Sequence, residues 1–358
     1  MKRNYCVSLL VLSGVFILIT GCAPFVENNR IEEIAPVIFW SIDQGEEGRL
    51  SICTLVPPLV KEKKRLLTQN VHLLKEGGKL FNLIYYRELK LGQLRMLLVN
   101  EEVAKQGLNS LINTLFIDPE VSPRLYLVII KGDFEAYIQN QLDKQPNLDY
   151  FLYRMFKHYE EKHQGEMSIV NLHTFMKNLH TPLSVPFLPV FKAGKESFTY
   201  EGTAFFRHDA MIATASGIDD QIMQLLSNDH YLRLLPIPSL SVTVGHIRSK
   251  VRIKLADSSA AVNVELYGRV EEYRGDKDIL DHAEATELND QIQTYLEKHT
   301  LELLQKMQRW KVDPLEIGRH TMTPFTKPMS DEAWLEKWQQ LKFDVNYDID
   351  IQPFVEKK

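Results

Sequence analysis

Apolar and polar positions follow two rhythms along this chain, one of strands and one of helices. Pro36 to Ile42 carries the run Val-Ile-Phe-Trp-Ser-Ile and predicts a buried strand. Leu50 to Val56 predicts its hairpin partner, with Gly45 to Gly48 as the turn and Pro57-Pro58 as the stop. Val60 to Gly77 is strongly charged, Gly77-Gly78 reads as a break, and the mixed periodicity of Leu80 to Leu91 is assigned to helix. Leu94 to Val99 is a short apolar strand. Asn100 is placed to cap the next helix, with Glu101 and Glu102 in its first turn, where carboxylates meet the positive end of the helix dipole. Gly107 breaks that helix, and Leu108, Leu111, Ile112 and Leu115 space out another. Leu125 to Ile130 is almost wholly apolar, and Asp133 is placed to cap the helix that follows. Strands alternating with helices imply parallel pairing through right-handed crossovers, so the N-terminal part reads as mixed α/β.

Residues Phe151 to His163 are aromatic and basic, and Asn171 to Leu179 reads as helix. Pro182, Pro186 and Pro189 then follow. Proline lacks a backbone donor, so this segment is expected to be neither helix nor central strand and to mark the boundary between units 22–190 and 195–356. Beyond it the pattern is antiparallel. Thr203 to Phe206 and Met211 to Thr214 flank the turn Arg207-His208-Asp209-Ala210. A short helix is predicted over Ile218 to Leu226, then strands at Ser241 to Val244, Lys250 to Leu255 and Ala261 to Val270, the last two joined by Asp257-Ser258-Ser259. A long helix is expected over 284–311, where Leu288, Ile292, Leu296, Leu303, Met307 and Trp310 form one apolar stripe. Asp313-Pro314 stops it. Ser330 caps a further helix with Asp331 and Glu332 in its first turn and Trp334, Trp338 and Leu341 inside. From Phe343 to Ile351 apolar residues alternate with Asp344, Asn346, Asp348 and Asp350, the pattern of a half-buried strand. The fold class expected is α+β and multidomain: a mixed α/β domain followed by an antiparallel sheet packed with a long helix.

The first residues follow a different logic. Lys2 and Arg3 precede an apolar run from Val7 to Ile19, which ends in Thr20-Gly21-Cys22. The run is short of the roughly 20 residues that a spanning helix needs, and reads as a secretory signal. Small residues followed by cysteine make it a lipoprotein signal peptide over 1–21, cleaved between Gly21 and Cys22. The Cys22 thiol is expected to carry diacylglycerol and its amine an N-acyl chain, because two or more chains are needed for stable anchoring. After cleavage Cys22 and Cys53 remain, so no intrachain disulfide is expected, and Cys53 reads as a small buried hydrophobe. With 44% apolar and 10% aromatic residues the chain can build cores, and a formal net charge of −5 gives no reason to expect nucleic acid.

Catalytic chemistry finds little support. His158 and His163 are five apart, off the spacing that sets two ligands on one helix face, and no carboxylate joins His173 and His180 in a metal pattern. There is no HExxH, no P-loop, no dinucleotide fingerprint, and no GxSxG nucleophile elbow. The expectation is a protein without metal, cofactor or enzymatic activity. Arg248, Lys250, Arg252 and Lys254 put four cations on one strand face. They read as a solvated face answered by Glu265 on the neighbouring strand, or else as a patch for anionic lipid or an acidic partner.

Several stretches in succession resemble one family. They are the lipobox, the acidic Ile31-Glu32-Glu33-Ile34, the run from Leu97 to Leu108, and Glu201-Gly202-Thr203-Ala204-Phe205-Phe206. Most specific is Trp310 to Gly318, a helix ending in Asp313-Pro314 with Gly318 four residues after the proline, followed by a Trp-bearing helix and an alternating last strand. Together they resemble the Ger(x)C family, the C subunits of spore germinant receptors in endospore-forming Bacilli and Clostridia. Phe116-Ile117-Asp118 and His208-Asp209-Ala210 depart from its usual pattern. The resemblance implies a non-enzymatic lipoprotein on the outer face of the spore inner membrane, beside integral-membrane A and B subunits. Together they would respond to nutrients such as amino acids, sugars or nucleosides. A solute-binding lipoprotein of a transporter is the second reading, and it would need two similar α/β lobes. A surface-anchored hydrolase is the third.

Overall fold

The computed structural model describes residues 32–58, 63–145, 147–162, 165–227, 231–322 and 329–353. The lipobox, with Gly21 and Cys22, lies outside them.

The first half is built on one eight-stranded sheet. Its strands are β2 (Phe39–Gln44), β3 (Leu50–Val56), β4 (Arg65–Val71), β6 (Met96–Asn100), β7 (Tyr126–Gly132), β8 (Phe187–Ala193), β9 (Phe198–Arg207) and β10 (Ala210–Ser216). The order across it is β10-β9-β8-β7-β6-β2-β3-β4. The middle is parallel, from β2 through β6 and β7 to β8, and both margins are antiparallel hairpins. The parallel strands are apolar along their length because helices cover both faces. Leu97, Val99, Leu127 and Ile129 point into one core with α1 (Leu74–Ile84), α2 (Glu101–Gln106), α3 (Asn109–Phe116) and α6 (Leu172–His180). Leu98, Val128 and Ile130 point the other way, toward α4 (Phe134–Gln141) and α5 (Leu148–Lys162). Capping follows the sequence reading: Asn100 accepts from Glu102 N and Asp133 from Ala136 N, each at 2.8 Å.

Several predicted elements differ. The strand expected from Pro36 to Ile42 is two strands, because β1 (Ile34–Pro36) leaves the main sheet to pair with β5 (Glu88–Lys90). The charged segment before Gly77 contains β4, an edge strand whose outer side faces water, where polar residues are at home. Gly77-Gly78 does not break a helix but lies inside α1. Gly77 lets that helix sit down on β3, since a Cβ there would come within 2.8 Å of Ile52 Cδ1. Pro189 is in an interior strand after all; the parallel ladder with β7 starts at Val190, so the missing N–H falls just before it. The hairpin β9–β10, expected to open the second half, instead completes the first sheet.

The second half has a four-stranded sheet of β11 (Tyr231–Ile237), β12 (Val242–Leu255), β13 (Ser259–Tyr273) and β14 (Lys342–Gln352), in that order. Its core is shared with α7 (Ile218–Leu226), α8 (His282–Trp310) and α9 (Asp331–Gln340). The two predicted strands at 241–244 and 250–255 are one strand with a bulge at His246 and Ile247, where His246 takes φ 53°. The last strand joins β13 in parallel, because the chain crosses back over the sheet through α8 and α9. All of its predicted alternation is present, with Tyr347 and Ile351 buried and the aspartates exposed. The two halves are not the similar α/β lobes that a two-lobed solute-binding protein would need.

Gly202 governs how β9 meets its neighbours. It sits at a register shift in the β8 pairing, and a Cβ there would lie 1.9 Å from Ala215 O on β10. Gly202→Ala is expected to cost roughly 2–4 kcal/mol through backbone strain and overpacking. Gly78→Ala, facing open space in α1, is expected to stabilise by up to about 1 kcal/mol. Urea denaturation midpoints of the two variants check this, and an unchanged midpoint for Gly202→Ala would contradict it.

Candidate functional site

The seam between the halves is assembled from the end of α8 outward. The helix stops because Lys311 enters the left-handed region at φ 56° while Val312 N bonds back to Met307 O and Lys311 N to Gln308 O, a Schellman arrangement. That turn drives Asp313 inward, where only 1% of it is exposed. Its carboxylate accepts from Ile317 N at 3.1 Å, Gly318 N at 2.7 Å and Trp334 Nε1 at 3.0 Å. Gly318 is required because a Cβ there would come 2.7 Å from the Trp334 indole. The Asp-Pro motif, its glycine and the tryptophan of α9 are therefore one buried unit. Burial pushes the Asp313 carboxyl up to about 6, against the three donors that favour its charged form.

Polar bonds tie this unit to the first half. Leu183 N donates to Asp331 Oδ1 at 2.9 Å, Ser184 Oγ to Glu316 at 2.7 Å, and Arg207 Nη2 to Trp310 O at 2.6 Å. Between them lies a cavity of about 190 Å³. Leu183, Phe206 and Trp334 form its apolar wall, and Arg207, Lys311 and Glu332 bring charge to it. Leu183, His208, Lys311 and Glu316, all at or beside this seam, take positive φ without being glycine. Such strained backbone persists only where surrounding contacts over-determine it.

A second polar cluster lies deeper. Asp220, in the first turn of α7, accepts from Thr203 Oγ1 at 2.7 Å and Tyr200 Oη at 2.9 Å. Ser168 Oγ bonds Thr203 at 2.7 Å and accepts from Gln224 Nε2 at 3.0 Å. Burial pushes Asp220 up to about 6 and the Tyr200 phenol up as well. The sequence reading missed this cluster, because Ser168 and Gln224 are 56 residues apart. The one local signal was Asp220 and Gln224, spaced i,i+4 on the apolar face of a short helix. Each member has partners and none is a free nucleophile, so the cluster works as a joint between β9 and α7.

Trp334, which belongs to the seam, and Trp338 are core, as the sequence reading has them. Cys53 is buried, which pushes its thiol up. Arg252 meets Glu265 at 2.7 Å and Lys250 meets it at 3.9 Å, so that charged face is answered on its own sheet. Among the described residues no group of His, Cys, Asp or Glu could hold a metal ion.

Two family profiles run along the chain. The spore germination protein N-terminal domain matches residues 27–193, and the spore germination B3/GerAC-like C-terminal domain matches residues 201–354. The chain belongs to the Ger(x)C family of germinant-receptor C subunits. As a C subunit it is one member of a multi-subunit receptor with a role in spore germination. The spore germination protein GerQC of Bacillus cereus is 21% identical over 272 residues, covering 74% of this C subunit and 75% of the relative. The crystal structure of the GerBC protein shares its fold, with a TM-score of 0.53 at 12% identity over 88% of this chain and 97% of that one.

The seam makes stability depend on pH. The folded state holds the Asp313 and Asp220 protons more tightly than the unfolded chain does. Their stabilisation is therefore full below the ordinary carboxylate range near pH 4 and is lost as pH rises through about 6. Asp220→Asn, whose amide can still pair with both hydroxyls, is expected to flatten that part of the decline in a series of melting temperatures from pH 4 to 7. Asp313→Ala leaves three N–H donors without an acceptor in the core and is expected to cost about 3–5 kcal/mol, read by denaturant unfolding.

Proposed function

We propose that this C subunit is a non-enzymatic part of a nutrient germinant receptor, held by lipid on Cys22 at the outer face of the spore inner membrane. Two integral-membrane subunits, A and B, are its partners in this reading. The observation that carries it is the match of both family domains in order from residue 27 to 354, directly behind the Thr20-Gly21-Cys22 signal. Among the described residues no helix is long and apolar enough to cross a membrane. About a dozen residues separate Cys22 from β1, a tether that reaches at most about 40 Å and averages about 20 Å if flexible. A tether of that length raises the effective concentration of the folded part toward membrane partners, so weak contacts with them suffice. The joints at the seam fit a subunit that works by holding shape: its buried carboxylates are consumed by structural bonds.

Cys22→Ala in spores tests this, scored by membrane fractionation and by germination. The expected outcome is loss from the membrane fraction and failure of germination by one nutrient class, with a non-nutrient trigger still effective. Normal fractionation together with normal germination would overturn both the anchor and the receptor role.

A further inference from the structure

The corner where the tether enters the fold carries an unusual surface. β1 is the first strand among the described residues, and it pairs with β5, with Glu88 N donating to Glu33 O at 2.8 Å. The connection from α1 to β5 is short and tightly held: Leu89 N bonds Asn82 Oδ1 at 2.9 Å, and Tyr85 is buried beneath it. Leu83 and Ile84, at the end of α1, and Tyr86, in that connection, are 72%, 53% and 64% exposed. Lys79, one turn earlier than Leu83 on α1, is exposed on the same helix face. Large apolar side chains held outward at this corner, beside the point of tether entry, stand where a lipid-anchored domain comes closest to the bilayer.

We infer that Leu83, Ile84 and Tyr86 form a foot that rests in the headgroup layer of the membrane. The inference depends on the Cys22 anchor proposed above. A tyrosine, with an apolar ring and a polar tip, suits the interface between headgroups and acyl chains. Three side chains partition too weakly to hold a protein alone, but an anchor that keeps the corner within about 20 Å of the bilayer makes their contact intramolecular. Lys90 is paired with Glu88 at this corner, at 3.0 Å, so the apolar side chains rather than a basic cluster carry the contact. The contact is therefore independent of anionic lipid and survives high salt, unlike that of a polybasic patch. It also fixes which way the domain faces: α1 and the β1–β5 pair point down.

The test uses mature, Cys22-lipidated protein in vesicles of phosphatidylcholine, with or without phosphatidylglycerol. A spin label is attached at Leu83→Cys or, as control, at Lys254→Cys on the second sheet; buried Cys53 does not compete for it. The expected result is flotation with the vesicles, a several-fold fall in collision of the label at 83 with an aqueous nickel complex, and a rise in its collision with oxygen. Both lipid mixtures should give this at low and high salt, with the label at 254 unchanged. Flotation with a fully aqueous label at 83 overturns the foot and leaves the anchor standing. Absence of flotation overturns the anchor itself and the foot with it. Protection of the label only in membranes that contain the other receptor subunits also overturns the foot, and assigns the surface to a protein partner.

Discussion

Successive side chains of a β-strand point to opposite faces, and in β9 that rule ties two cores together. Ala204 and Phe206 are buried in the core of the first sheet, whereas Phe205, between them, is buried in the core of the second half. Ala215 on β10 faces the same way as Phe205. The outer face of the first sheet is covered by α4 and α5 over its middle and by the second half over its β9–β10 margin. The same hairpin supplies polar ties. Asp209, in its turn, accepts from Asn109 N at 3.0 Å and its carbonyl from Leu108 N at 2.9 Å, so it caps α3 from 100 residues away. Arg207 holds the last carbonyl of α8, and Thr203 holds Asp220. The hairpin's share of the seam rests on the close strand approach that Gly202 permits.

This explains why the seam is polar yet buried. Two cores that meet across a strand margin bring helix ends and turns into contact, and those carry backbone groups that need partners. Asp313 and Asp220 answer that need, one for a 3₁₀ turn and an indole, the other for two hydroxyls. Each costs desolvation, which is why both carboxyls are pushed up. A hydrophobic seam would leave the same N–H and O–H groups unpaired, a larger loss. The pairing geometry also specifies one docking of the halves, because Leu183, Ser184 and Arg207 each find a partner at a single relative position.

Local order was legible in the sequence. The helix caps at Asn100, Asp133 and Ser330, the apolar stripe of α8 and the alternation of β14 all express a period or a cap that only neighbouring residues decide. Hairpin pairing between neighbours was legible too, but pairing between strands far apart along the chain was not. Nothing in the residues from Phe198 to Ser216 says that they extend a sheet begun at Phe39, or that β14 lies parallel to β13. The errors share this cause. Gly77 and Pro189 read locally as breakers, and each is tolerated because a tertiary neighbour makes use of it or because its defect falls where no bond is required. The Asp313–Gly318 motif was visible as a pattern, but its reason, room for the Trp334 indole over a carboxylate, exists only in three dimensions.

A C subunit built this way has two unequal surfaces. The seam is inward and tied by several polar bonds, so it holds one half in position against the other. The β1–β5 corner is different: a two-stranded sheet at the margin of the fold, with large apolar side chains turned outward beside it. With the Cys22 anchor proposed above, a weak preference of Leu83, Ile84 and Tyr86 for lipid selects which way that corner meets the membrane. Orientation selected at the corner then fixes the position of the second sheet, because the seam allows one docking. In the proposed reading the lipid on Cys22 decides where the protein is, the corner which way it faces, and the seam what it presents.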